Sequence, residues 1–109
     1  MNKQIFQTLE KNVQTIANSY FIACEAIKVS SSNIYSACFL VSQMDIVRNI
    51  NFIFSLLDDV EKEIINNEFF FENYPFWWEN IYPEKVFKKI KFSAMENFIE
   101  LFKESFLYV

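Results

Sequence analysis

The sequence predicts an all-α fold, a compact bundle of four to five helices, from three observations. Apolar residues recur at helical spacing through most of the chain, glycine is absent from all 109 residues, and both prolines fall between residues 67 and 83. Because two-residue hairpin turns favour glycine, its absence argues against a β-sheet. A chain of this length has room for one domain with a real core, so we expect residues 1–109 to form a single all-helical domain.

The first half of the chain predicts three helices. Residues 3–28 form the first, because one apolar stripe runs along it: Phe6, Leu9, Val13, Ile16, Tyr20, Ala23 and Ile27. The polar run at residues 30–33 is suited to cap the next helix. The stripe then continues to about residue 66, which is too long for one helix beside such a partner. We therefore predict two antiparallel helices, 33–48 and 51–66, with a break near residues 49–51.

The second half begins with an aromatic-rich segment, about residues 67–83, which we predict to be irregular chain with a short helix at 76–81. Pro75 and Pro83 suit the first position of a helical turn better than its interior. A short helix is expected at residues 84–91. Ser93, followed three residues later by Glu96, has the spacing of a capping box and predicts the start of a last helix.

Charge limits the classes of partner. The net charge is −4 and the isoelectric point about 4.8, whereas binding to duplex DNA or anionic lipid depends on clustered basic residues. Residues 45–84 hold nine acidic residues and only two basic ones, so the middle of the chain is its acidic part. No apolar run approaches the about 18 residues that a membrane span needs, and we expect a cytoplasmic protein with no membrane or nucleic-acid partner.

Residue types that common catalytic sites need are missing. Without histidine there is no usual general base and no Ser-His-Asp or Cys-His pair; without glycine there is no Walker loop or dinucleotide fingerprint. We therefore expect a protein that is not an enzyme and has no cofactor. Cys24 and Cys38 lack metal-site spacing and are predicted to be reduced packing residues.

Two charged clusters have ordinary interpretations that we prefer. The acids of LLDDVEKE, residues 56–63, could in principle hold Mg²⁺, but a solvated helix face explains them better. The cluster Lys85, Lys88, Lys89 and Lys91 could contact phosphate, but in a helix Lys85, Lys88 and Lys89 form the plain outer face, which is the simpler account.

The aromatic-rich segment is the most informative feature. Residues 67–85 contain Phe69, Phe70, Phe71, Tyr74, Phe76, Trp77, Trp78 and Tyr82 among four glutamates. Some of these rings must cover the bundle, yet three successive phenylalanines cannot all face inward, and tryptophan and tyrosine are enriched at interface hot spots. The predicted partner-binding residues are Asp58, Asp59, Glu61, Glu68, Glu72, Tyr74, Trp77, Trp78, Glu79 and Tyr82.

Rings within a negative field, with no reactive groups, indicate a non-catalytic protein-binding inhibitor. The expected partner is a basic protein, and an immunity protein that blocks the positive active site of a nuclease toxin meets this description. A phage inhibitor of host defence nucleases would have the same properties. The alternatives are a helical domain that binds a small ligand in an aromatic pocket, which requires a concave ring-lined cavity, and a carboxylate–Mg²⁺ enzyme, which requires converging acids.

Overall fold

The chain folds into four α-helices and one π-helical turn, in a computed structural model that describes residues 2–29, 37–71 and 73–107. The elements are α1 (Lys3–Lys28), α2 (Ala37–Leu56), α3 (Asp59–Ile65), the π turn (Asn66–Phe70) and α4 (Glu84–Leu107). These ranges contain no β-strand, so the all-α prediction is confirmed. The predicted cap at residues 30–33 and the predicted contact residue Glu72 lie outside the described residues.

Helix α1 has the bounds that its apolar stripe predicts. Asn2 starts it, because the side-chain oxygen accepts hydrogen bonds from the backbone N–H groups of Gln4 and Ile5, at 2.8 and 3.3 Å. One face then packs into the core through Val13, Ile16, Ala17, Ala23 and Ala26. Helix α1 contacts α2, the π turn and α4, and is the longest of the four helices.

The predicted break near residues 49–51 is wrong, since α2 runs unbroken to Leu56. Buried Ile50 and Ile53 hold this stretch against the core, and no proline or glycine interrupts it. The chain breaks at Asp58 instead, whose backbone is extended. Asp58 Oδ1 accepts from the Glu61 N–H at 2.8 Å, and Glu61 Oε1 accepts from the Asp58 N–H at 2.9 Å. This reciprocal capping box starts α3.

The capping box predicted at Ser93 is also wrong, because α4 continues through it to Leu107. The reason is the core face of α4, where buried side chains follow one another on both sides of Ser93: Phe87, Lys91, Ala94, Met95, Phe98 and Ile99. The short helix predicted at 76–81 is absent; that stretch forms successive tight turns. The irregular segment begins at residue 71, after the π turn, rather than at 67.

The π turn follows α3 directly and joins it to the core. Its wider coil is marked by a bond from the Phe71 N–H to the carbonyl oxygen of Asn66, five residues earlier, at 2.8 Å. Phe69 is buried, Phe70 is half-buried and Phe71 is 66% exposed. As the sequence indicated, the three successive phenylalanines do not all face inward.

Phe70 occupies the centre of a ring cluster at one end of the core. Its ring meets Phe54 edge-on at 5.0 Å between centroids, Tyr20 at 5.5 Å and Phe98 at 6.2 Å. The Tyr20 hydroxyl donates to Asn51 Oδ1 at 3.1 Å. Burial raises the pKa of the Tyr20 phenol above its ordinary value, so this donor keeps its proton at neutral pH.

Lys91 forms the other centre of the fold, as a buried cation between two acids. Its Nζ lies 2.8 Å from Glu10 Oε2 on α1 and 2.8 Å from Glu68 Oε1 on the π turn. It also stands over the rings of Phe6 and Phe69, 5.5 and 5.4 Å from their centroids. The lysine side chain is 10% exposed and that of Glu68 is 20% exposed, so this pair is largely removed from water, whereas Glu10 is 37% exposed.

Lys91→Met should lower the free energy of unfolding by about 3 kcal/mol, because it leaves two carboxylates beside each other without their cation. Urea denaturation followed by circular dichroism measures this change. Lys88→Met is the matched control: Lys88 pairs with Glu84 at the exposed surface, and its loss should cost under about 1 kcal/mol. Equal effects of the two substitutions would contradict a central role for Lys91.

Candidate functional site

The segment after the π turn, residues 71–83, is called the aromatic loop here. It is built from turns in which an N–H group bonds to the carbonyl oxygen three residues earlier: Trp77 to Tyr74, Glu79 to Phe76 and Ile81 to Trp78, at 2.9–3.1 Å. The Phe87 N–H bonds to the Pro83 carbonyl oxygen at 2.9 Å, which ties the end of the loop to α4. The loop is therefore irregular but internally hydrogen-bonded.

The base of the loop is fixed by rings around Phe87, a buried residue of α4. Trp78 stacks on Phe87 with 4.4 Å between centroids and 6° between planes. Trp77 meets the same ring edge-on at 5.8 Å, and Tyr82 lies 6.3 Å away. Three predicted contact residues, Trp77, Trp78 and Tyr82, are therefore half-buried and hold the loop to the bundle.

Glu68 joins this base to the Lys91 centre. Its Oε2 accepts a hydrogen bond from the indole Nε1–H of Trp77 at 2.9 Å, while its Oε1 pairs with Lys91. Both oxygens of the carboxylate are therefore engaged inside the protein. The geometry gives Glu68, another predicted contact residue, a role in positioning the loop.

The outer side of the loop is apolar and exposed. Tyr74 is 84% exposed, Phe76 is 65% exposed and Ile81 is 57% exposed, and Phe71 projects at the point where the loop begins. Glu79 is exposed among them. Of the predicted contact residues in the described part of the loop, Tyr74 and Glu79 are the two that are exposed at the surface.

Phe76 is held in a strained backbone conformation, with φ at 63°. This left-handed region costs a residue with a bulky side chain roughly 1–2 kcal/mol, and the chain contains no glycine to occupy it without strain. The next two side chains, Trp77 and Trp78, are held against Phe87, while the Phe76 ring is largely exposed and meets Trp78 edge-on with 6.0 Å between centroids. Strain of this kind concentrates at functional sites.

The acids of α3 form a separate group. Asp58 and Glu61 cap the helix, and Glu61 Oε2 also accepts from the Asn97 amide at 2.9 Å. Asp58, Asp59 and Glu63 are exposed, and within the described part of the chain Asp59 and Glu63 take part in no salt bridge. The predicted contact residues thus divide into three groups. These are the α3 acids, the fixed base of the loop and the exposed outer side of the loop, which is called its tip.

A groove of about 650 Å³ opens beside the base of the loop. Three rings line it, those of Phe6, Trp78 and Phe87, and the Lys91 ion pairs lie in its wall. Lys3 and Lys88 also line the groove. Three of its nine lining residues are aromatic and the other six are polar or charged, so the groove meets only part of what the small-ligand alternative requires.

Reactive groups are sparse. Among the described residues, no three His, Cys, Asp or Glu side chains are grouped so as to hold a metal ion. Both thiols are free; Cys24 is half-buried as a packing residue would be, whereas Cys38 is exposed, contrary to the packing role predicted for it.

No helix in the described ranges combines the length and apolar character needed to cross a membrane.

The interior position of Lys91 is a feature that sequence reasoning missed. Lys85, Lys88 and Lys89, its neighbours in the lysine cluster, are exposed as expected. A signal existed: Lys91 lies four residues after Phe87 and four before Met95, which places a charge on the apolar stripe of its helix. The strained backbone of Phe76 had no signal in the sequence.

Trp78→Ala should lower the free energy of unfolding by about 2 kcal/mol, because it removes a ring stacked on Phe87. Tyr74→Ala, in the same loop but exposed, should change it by under about 0.5 kcal/mol. Chemical denaturation of both variants gives the comparison. A neutral Trp78→Ala would mean that the loop is not held by this stack.

Comparisons with known proteins add no functional information. No protein-family model, no curated protein and no solved structure matches the chain.

Proposed function

We propose that this protein is a non-catalytic protein-binding inhibitor that docks its aromatic loop onto a basic partner protein. The observation that carries the proposal is the exposed tip of the loop, Tyr74, Phe76 and Ile81, on a base fixed by Trp77 and Trp78. Exposed loops on a rigid support are a common way to present binding residues, because little order must be gained on binding.

The contact chemistry fits a protein surface. Exposed aromatic side chains offer large contact area with few rotatable bonds, and they are enriched among the residues that dominate interface energy. Water is a poor environment for such a group of rings, so covering them is favourable. The strain at Phe76 supports the same interpretation, because it keeps a bulky ring outside the core at a cost to stability.

Charge supports a basic partner. Glu79 on the loop is exposed, as are Asp59 and Glu63 in the separate group on α3, and the whole chain carries −4. This net negative charge speeds the encounter with a positive protein and disfavours acidic ones. An enzyme cleft that holds nucleic-acid phosphates is positive for that reason.

An immunity protein that covers the active site of a nuclease toxin is the specific form of inhibitor that we propose. It needs fast association and a tight grip but no chemistry of its own. A phage inhibitor of a defence nuclease has the same physical requirements, and the activity of the captured partner distinguishes the two.

The test is affinity capture from the native cell with three baits: the wild-type chain, the loop variant Tyr74→Ser with Phe76→Asn, and the control Ile22→Ser. Asparagine tolerates the left-handed backbone at residue 76. Ile22 is 67% exposed on α1, so Ile22→Ser removes an exposed apolar side chain outside the aromatic loop. We expect a basic protein bound by the wild type and the control, with affinity for the loop variant reduced by about 30-fold or more.

The captured partner should be a nuclease whose activity the wild type inhibits, and its association rate should fall steeply as salt rises. The proposal fails if no protein depends on the loop residues for capture. An association rate that is independent of salt would contradict the proposal that charge speeds the encounter with the partner.

A second candidate function, binding of a small apolar molecule, is favoured by the groove where the rings of Phe6, Trp78 and Phe87 lie together. Anilinonaphthalene sulfonate should then bind the folded protein saturably, with enhanced emission. Gln7→Trp would fill the groove and abolish that binding, while Gln4→Trp, outside the residues that line it, would not. Probe binding that both variants retain would exclude the groove as the site.

A further inference from the structure

Helix α2 has an outer face that is unusually apolar for an exposed surface. Its twenty residues contain only two charged side chains, Asp45 and Arg48. Val41 is 56% exposed and Phe52 is 58% exposed, with Met44 and Leu56 beside them at 46% and 51%. A helix with few charges on any side is ordinarily buried on both faces, whereas α2 is covered on one.

The exposed residues form one straight stripe. Val41, Asp45, Arg48 and Phe52 are separated by four, three and four positions, which keeps them on the same side of an α-helix. The order along the stripe is apolar, negative, positive, apolar. The side chains of Asp45 and Arg48 are 55% and 72% exposed and pair with each other at 3.4 Å.

We propose that this stripe binds a second copy of the chain in antiparallel orientation, about a two-fold axis that passes between Ile46 and Val47. Val41 and Phe52 are equally far from that point along the helix, and so are Asp45 and Arg48. An antiparallel copy therefore sets Val41 against Phe52 of the second copy, and Asp45 against its Arg48. A two-fold interface requires this self-complementarity, in which each contact occurs twice.

The charges select the antiparallel orientation. A parallel pair in register would bring Asp45 against Asp45 and Arg48 against Arg48, which is repulsive. The antiparallel pair instead gives four charges of alternating sign between two apolar contacts. No residue of this stripe belongs to the aromatic loop, so the dimer goes beyond the proposed inhibitor function and does not depend on it.

Sedimentation over a wide concentration range tests the proposal. We expect a reversible dimer for the wild type. Asp45→Arg and Arg48→Asp should each be monomeric, because each places like charges opposite one another. An equimolar mixture of the two variants should form a heterodimer, because every opposed pair is again of opposite sign. Circular dichroism checks that the variants fold; if either does not, Phe52→Ser replaces it and must be monomeric.

The loop variant, Tyr74→Ser with Phe76→Asn, should dimerise as the wild type does, which separates this inference from the proposed function. A wild-type chain that stays monomeric at all concentrations overturns the dimer. So does a pair of charge variants that both dimerise unmixed, or a mixture that does not associate. Adsorption of a monomeric wild type to neutral lipid vesicles would assign the face to a membrane surface instead.

Discussion

The buried ion pairs of Lys91 are the interaction on which the rest of this structure depends. A cation with 10% of its side chain exposed requires close partners, and it takes one from α1 and one from the π turn. Glu68 also fixes the position of the aromatic loop, because its second oxygen accepts a hydrogen bond from the Trp77 indole N–H at 2.9 Å. One buried charge thereby fixes the position of α1, α4, the π turn and the aromatic loop relative to one another.

The π turn makes this arrangement possible. Three successive side chains of the turn, Glu68, Phe69 and Phe70, reach two separate interior sites. The wider coil sends Glu68 and Phe69 to Lys91, and Phe70 to the ring cluster with Phe54. Phe71 then emerges at the surface where the aromatic loop begins. The chain thus passes from core to exposed loop within six residues of α3.

Stability and binding are divided within the loop by position. Trp77, Trp78 and Tyr82 pack on Phe87 and belong to the fold, whereas Tyr74, Phe76 and Glu79 face outward. The two interpretations that the sequence allowed, a lid over the core and an anchor for a partner, therefore apply to different residues of one segment. Phe76, the residue with the strained backbone, directly precedes the two tryptophans that pack on Phe87.

The sequence by itself determined the helical class, the bounds of α1 and the irregular stretch around Pro75 and Pro83, because apolar spacing, absent glycine and the prolines act locally. Only the tertiary structure decided where α2 ends, since packing of Ile50 and Ile53 outweighs the polar residues at 49–51. It also decided that Lys91 is interior and which rings are exposed. Those outcomes depend on partners distant in the chain, Glu10 for Lys91 and Phe87 for the tryptophans, which no local pattern specifies.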